Sequence, residues 1–149
     1  MSVHPVRRSQ LEDWKGMRVM LWPECKEDEH ARDMADILGD PEFNAAFIAH
    51  APDGLPVGFL EVSIRLTAEG CRPGRIGYIE GWYVDPAWRG KGLGAALVAR
   101  AEAWASERGC TDMASDAHAD NEGGRAAHQH LGYQELSLLA HFRKDLRSR

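Results

Sequence analysis

Paired cysteines, long apolar runs and a surplus of basic charge are all missing from this sequence, and each absence excludes something. There are three cysteines, Cys25, Cys71 and Cys110, an odd and scattered set with no C-x-x-C. That rules against a disulfide framework or a zinc site and predicts no bound metal in a reduced, cytosolic setting. No apolar run reaches the roughly 18 residues of a membrane-spanning helix. The first residues, Met1-Ser2-Val3-His4-Pro5-Val6-Arg7-Arg8, lack the apolar stretch of a signal peptide, so no membrane association is expected. The formal net charge is −5, which argues against nucleic acid as a partner because phosphate backbones need a basic face.

What is present is one ordinary domain's worth of chain. The 149 residues suffice for a core, and 44% hydrophobic with 28% charged residues is a globular balance. The negative charge is concentrated. Glu24, Glu27, Asp28, Glu29, Asp33, Asp36, Asp40 and Glu42 face only Lys26 and Arg32 within residues 24–42. Such a run is either a solvated helix face or a field that attracts a polycation.

No repeat, low-complexity tract or linker divides the chain, so 1–149 reads as a single domain. Ser9 and Glu12 form a capping-box pattern opening a helix whose Leu11, Trp14, Met17, Met20 and Leu21 share a face, ending before Pro23. A second helix is expected over 26–38, stopped by Gly39. Strands follow over 43–51 and 56–66, joined by a turn at Pro52-Asp53-Gly54. After a loop over 66–75 comes a strand over 76–84, where Gly81 marks a bulge or a close backbone approach. A long helix runs to about Arg108, with Leu93, Leu97, Ala101 and Trp104 on one face. Thr111–Ser115 is a short strand, 123–131 a helix closed by Gly132, and 136–144 a final strand. This order predicts a mixed α/β sheet with helices on its faces.

The segment Arg89-Gly90-Lys91-Gly92-Leu93-Gly94, between a strand and a helix N-terminus, is an anion site in outline. Outward N–H groups, the helix dipole and glycines that admit a phosphate all favour it. A nucleotide P-loop is set aside because the Lys-Ser/Thr pair is missing. Gly90-x-Gly92-x-x-Ala95 fits the letters of the dinucleotide fingerprint, and Asp116 lies near the expected ribose acid. That motif, however, closes the first strand of a doubly wound sheet, and here it stands mid-chain with too little sequence after it.

The loop in its setting, Tyr83-Val84-Asp85-Pro86-Ala87-Trp88-Arg89-Gly90-Lys91-Gly92-Leu93-Gly94, resembles the acetyl-CoA signature of the GCN5-related N-acetyltransferases, [QR]-x-x-G-x-[GA]. The resemblance implies an acetyl-CoA-dependent N-acetyltransferase with a splayed sheet, open between its fourth and fifth strands. It also implies that Trp82, Tyr83 and Val84 line the cofactor beside a strand bulged at Gly81, and that Asn121 adds a polar cofactor contact. His128 stands where many members carry a tyrosine that protonates the leaving thiolate. A homodimer is expected, since relatives are commonly dimers.

Within that superfamily the chain is most similar to the aminoglycoside 6'-N-acetyltransferases, which confer antibiotic resistance. The matching segments are Leu11-Glu12-Asp13-Trp14 with Leu21-Trp22-Pro23, Glu61-Val62-Ser63-Ile64-Arg65, Glu80-Gly81-Trp82-Tyr83-Val84, and Met113-Ala114-Ser115-Asp116 with Asp120-Asn121. The resemblance assigns Trp22, Glu80 and Asp116 to a cationic small-molecule substrate; Glu135, two residues before the position where the pattern has an acid, is a further candidate. Glu80 or Asp116 is the expected base for the ammonium proton, and backbone N–H groups of the bulged strand the expected oxyanion donors. Two positions depart from the pattern: Ala68 replaces a tyrosine, and Ser137 stands where an acid is usual. A polyamine or peptide acceptor, or a silent acetyl-CoA-binding module, are the alternatives.

Overall fold

The computed structural model describes residues 2–147, which cluster into two compact units that meet in sequence between Asp116 and Ala117. In the first unit, β1 (Ser2–Pro5) precedes α1 (Leu11–Leu21) and α2 (Glu27–Gly39). Then come β2 (Asn44–His50), β3 (Pro56–Arg65), β4 (Ile76–Val84), α3 (Leu93–Glu107) and β5 (Asp112–Ser115). The sheet order is β1-β2-β3-β4-β5; the first three pairings are antiparallel and β4/β5 is parallel.

Helices cover both faces, as the sequence predicts. On one side Trp14 and Met17 of α1 and Met34 of α2 pack with Ala46, Ile48, Phe59 and Tyr83. On the other, Leu93, Leu97, Val98 and Ala101 of α3 are buried, and Gly58 of β3 lets Leu93 and Leu97 come close. Each fully buried side chain of this size contributes roughly 1.5–3 kcal/mol.

Strand β4 carries the feature that shapes the site. Glu61 of β3 pairs with Gly81 and Val62 with Ile79, which leaves Glu80 as the extra, bulged residue. The faces confirm the slip. Gly77 and Gly81 lie four residues apart and would share a face in a regular strand. Yet a Cβ on Gly77 would sit 2.8 Å from Ala105 of α3, whereas one on Gly81 would run into the Trp22 ring, 2.8 Å from its Cζ2. β5 pairs only with Ile76–Ile79, so β4 runs on through Glu80–Val84 with no described strand on that side. The predicted opening between the fourth and fifth strands is there.

Several expectations are corrected. The capping box is not Ser9 with Glu12: Ser9 lies in a 3-10 turn (Arg8–Gln10), and the Arg7 N–H donates to the Gln10 side chain at 2.9 Å. Met20 is exposed, and its expected place in the core is taken by Arg18, 2% exposed. β1 was not predicted. It becomes a strand only by pairing with β2, and its Pro5 suits an edge.

The second unit holds α4 (Glu122–His130). The strand expected over 136–144 is not formed, for those residues make no ladder among the described residues. Alternating apolar residues suit a strand, but a strand also needs a partner for its backbone. Leu136, Leu138, Leu139 and Phe142 are left exposed.

Candidate active site

The first unit contains a cavity of about 500 Å³ lined by Arg18, Trp22, Glu24, Cys25, Asp33, Asp36, Ile37, Glu61 and Glu80. Five of these are carboxylates, against one arginine. The acidic run at 24–42 thus divides by position. Glu27, Asp28 and Glu29 occupy the first turn of α2, where they complement the helix dipole, while Glu24, Asp33 and Asp36 face the cavity.

Trp22 ends α1, its N–H donating to the Arg18 carbonyl at 2.8 Å. Its ring meets Phe59 edge-on at 6.1 Å and lies under the Arg18 guanidinium at 4.7 Å. Its outer edge seats on Gly81, where any side chain would collide with it. Arg18 itself is held from several directions. It is ion-paired with buried Glu61, donates Nε to His30 Nδ1 at 3.1 Å, and reaches Asp33 at 3.1 Å. Trp14 Nε1 also donates to Glu61 at 2.9 Å. Burial pushes the Glu61 carboxyl up, opposed by Arg18 and Trp14. Sequence reasoning did not find this network, because an arginine on an amphipathic helix reads as solvent-facing.

Glu80, turned out by the bulge, is already engaged. Arg65 grips it with a fork, Nε to Oε2 at 2.9 Å and Nη2 to Oε1 at 2.7 Å, and the Ser63 hydroxyl donates to Oε2. The guanidinium lies 3.5 Å from the centre of the Tyr78 ring, and the Tyr78 hydroxyl donates to Asp116 Oδ2. Burial and this bond to Asp116 push the Tyr78 phenol up to about 12. Glu80 and Asp116 therefore belong to one connected array. Ser63, Arg65 and Tyr78 were not predicted, although Ser63 and Arg65 alternate toward one face and Tyr78 stands opposite Ser63 in the register.

At the glycine loop, Gly90 (φ +78°) and Gly92 (φ +84°) are left-handed, a conformation that L side chains resist. A Cβ at either would meet no atom, so the space before α3 is open. The first hydrogen bond of α3 runs from the Ala96 N–H to Gly92, and no side chain caps the helix. The N–H groups of Leu93, Gly94 and Ala95 thus form an uncapped helix start, with an anion as natural partner. Arg89 donates Nε to the Val84 carbonyl, and Lys91 lies over the Trp88 ring. Gly94 abuts Trp82, whose ring a Cβ there would meet at 3.1 Å. Leu93 is buried and contributes its backbone alone; the Tyr83 ring likewise belongs to the core, stacked on Phe59, so only its backbone is available to a ligand. Val84 is half-buried at the end of the unpaired stretch.

In the second unit, the Asn121 side chain caps α4, accepting from the Gly124 N–H at 2.9 Å. Arg125 grips Glu135 at 2.7 and 3.0 Å and holds its carboxyl below the usual carboxylate range. His128 Nδ1 contacts the Gly124 carbonyl, and the ring meets Tyr133 edge-on at 5.9 Å. Ala68 lies in the loop before β4, and Ser137 in the irregular segment after α4. No group of three or more His, Cys, Asp or Glu side chains suited to a metal occurs among the described residues, and no described helix is long and apolar enough to cross a membrane.

Comparison with known proteins agrees with this geometry. Residues 8–133 match the model of the acetyltransferase (GNAT) family. The chain is 42% identical over 146 residues to aminoglycoside N(6')-acetyltransferase type 1 of Klebsiella aerogenes, covering 97% of this chain and 96% of the relative. It is 35% identical to the protein of that name from Salmonella typhimurium, covering 97% and 99%. Among solved structures, AAC(6')-Iy bound to a bisubstrate analogue, CoA-S-monomethyl-acetylneamine, superposes with a TM-score of 0.90 at 34% identity, covering 97% of each chain. The apo 6'-N-acetyltransferase AAC(6')-Ig of Acinetobacter haemolyticus gives 0.89 at 34% identity, covering 98% and 99%. With an acidic cavity beside a bulged strand and an uncapped helix behind a glycine loop, this chain belongs to the GNAT acetyltransferase family, among the aminoglycoside 6'-N-acetyltransferases.

Proposed function

We propose that the protein acetylates the 6'-amine of aminoglycosides with acetyl-CoA, and so confers resistance by removing an ammonium charge that binding to ribosomal RNA requires. The observation that carries this is the cavity itself: four carboxylates besides the buried Glu61, and the Trp22 ring, around about 500 Å³. An aminoglycoside is a polyol bearing several ammonium groups. Carboxylates pair with the ammoniums, and an indole face offers apolar area and a cation–π surface.

The residues also suit acetyl-CoA. Its pyrophosphate would lie on the N–H groups of Leu93, Gly94 and Ala95, with Arg89 and Lys91 beside them and Gly90 and Gly92 leaving room. Its pantetheine would follow the backbone of Trp82–Val84, whose edge no described strand takes. When bound, the thioester supplies an activated acetyl carbon. The protein's part is to accept the proton that the 6'-ammonium must lose, at Glu80 or at Asp116, directly or through water. Backbone N–H groups past the bulge are placed to donate to the carbonyl oxygen.

We further infer a homodimer in the reducing cytosol. The three cysteines are free thiols, and the exposed apolar residues Leu136, Leu138, Leu139 and Phe142 suit burial by a second copy.

The test is acetyl transfer by purified protein, followed by release of free CoA thiol, with light scattering on the same sample expected to give twice the chain mass. Kanamycin and tobramycin should be acetylated, a drug lacking the 6'-amine should be a poor acceptor, and KM should rise with salt as screening weakens the cavity's field. Ready transfer to spermidine or a peptide with kanamycin untouched would overturn the substrate and leave the acetyl-CoA site standing.

A further inference from the structure

We propose that Arg65 and Tyr78 are positioning residues that bind the two acids into one array and leave Glu80 a single oxygen position for the substrate amine. This rests on the acetyltransferase reading above.

The argument is a count of acceptor sites. An ionised carboxylate offers about four lone-pair positions, two on each oxygen. Oε2 of Glu80 accepts from the Ser63 hydroxyl and from Arg65 Nε, so both its positions are filled. Among the described residues Oε1 accepts only from Arg65 Nη2, which leaves one position. An incoming amine therefore meets Glu80 at one atom and from one direction.

Tyr78 sets that direction. Its ring supports the guanidinium at 3.5 Å, and a planar fork resting on a planar ring fixes the plane of the carboxylate it grips. The hydroxyl at the other end of the same side chain holds Asp116. One tyrosine thus registers both acids against each other, across strands β3 and β4 and the residue after β5. Charge supports the same conclusion. Arg65 offsets one of the two carboxylates, so the array presents about one net negative charge to the amine and not two.

Stability does not account for the arrangement. The Arg65 side chain is 44% exposed and that of Glu80 33%, and ion pairs this open contribute little to folding. The fork is spent on the residue bulged from β4, the residue whose aim matters.

The test is steady-state kinetics on Arg65→Met, Arg65→Lys and Tyr78→Phe with kanamycin and acetyl-CoA. Arg65→Met should lower kcat about 10–100-fold, the scale of a lost orientation. Its KM for kanamycin should hold or fall, because a competing cation has left, and its KM for acetyl-CoA should not change. Arg65→Lys restores the charge but not the fork, and should recover the wild-type KM without recovering kcat. In Arg65→Gly, added guanidinium ion should restore part of kcat without raising the melting temperature, whereas a merely structural arginine would require both to rise together. Wild-type kcat in Arg65→Met, or a raised kanamycin KM with kcat intact, overturns the proposal. Should the Arg65 variants fail to fold, Tyr78→Phe decides: it keeps the ring and loses only the bond to Asp116, and wild-type kcat there breaks the array. Should the wild type acetylate some other amine and not kanamycin, the substrate reading fails, and the same comparison on that amine still decides the role of Arg65.

Discussion

Replacing Gly81 by alanine tests whether the bulge of β4 and the Trp22 ring form one device. A Cβ at Gly81 would lie 2.8 Å from the Trp22 Cζ2 atom, against about 3.5–4.0 Å for carbon atoms in ordinary contact. One of the two must yield by about 1 Å. The strand is held on both sides of Gly81 by its pairing with β3, whereas Trp22 is only half-buried and borders the cavity. The ring should therefore swing into the cavity, leaving its place under Arg18. Overpacking of this kind costs about 1–3 kcal/mol of stability, and a lost cation–π surface about 0.5–2 kcal/mol of binding. Kanamycin KM should then rise by about 2- to 30-fold, while acetyl-CoA affinity, set at the start of α3, changes little. The double variant Gly81→Ala with Trp22→Ala removes the collision, so its melting temperature should recover relative to Gly81→Ala alone while KM does not. Kinetics and thermal melts on the three variants are the assay. An unchanged kanamycin KM in Gly81→Ala would refute the reasoning, because the ring could not then be both pinned by Gly81 and used by the substrate.

Two further predictions follow from the loop and from Tyr78. Gly92→Ala meets no atom but forces a side chain into φ +84°, so it should cost about 1–2 kcal/mol of stability and weaken acetyl-CoA binding in calorimetry; unchanged affinity would remove the loop from the site. Tyr78 titrates near 10 unfolded and at about 12 folded, so the folded chain holds the extra proton between those values. A raised folded pKa contributes stability below pH 10 that is lost as pH climbs through this window. Thermal melts at pH 9 and pH 11 should show a smaller drop for Tyr78→Phe than for the wild type, and equal drops would contradict a phenol kept protonated by burial and by Asp116.

The order of elements was legible where periodicity and punctuation agree. Strand β4 falls on its predicted bounds, and α3 packs with Leu93, Leu97, Ala101 and Trp104 buried as expected, because both stretches state their faces without help from neighbours. The errors fall where a partner decides. Ser2–Pro5 has no strand signal of its own and is made a strand by β2. Residues 136–144 have that signal and no ladder among the described residues. Arg18 is buried because Glu61 and Asp33 converge on it from β3 and α2, a meeting that no local pattern on α1 announces.

The site shows the same division between residue type and register. Carboxylates for a polycation and glycines for a phosphate are choices of residue type, and residue type can be read from letters. Which acid does what is a matter of register. A shift of one residue at Glu80 turns its side chain out and brings Gly81 under Trp22, and the pairing of β3 with β4 then delivers Arg65 and Ser63 to the same carboxylate. The acids consequently differ in what they can offer. Glu61 is buried under Arg18 and closed to an ammonium group, while Asp33 is shared between Arg18 and the cavity. Glu24 and Asp36 line the cavity with no ion pair among the described residues, so they supply the attraction at least cost to the fold. Glu80 keeps a single open position, so on the proposed mechanism it offers the amine one defined acceptor. On the proposed mechanism, the acids left without an ion pair gather the substrate, and the acids that Tyr78 joins, Glu80 and Asp116, stand ready for its proton.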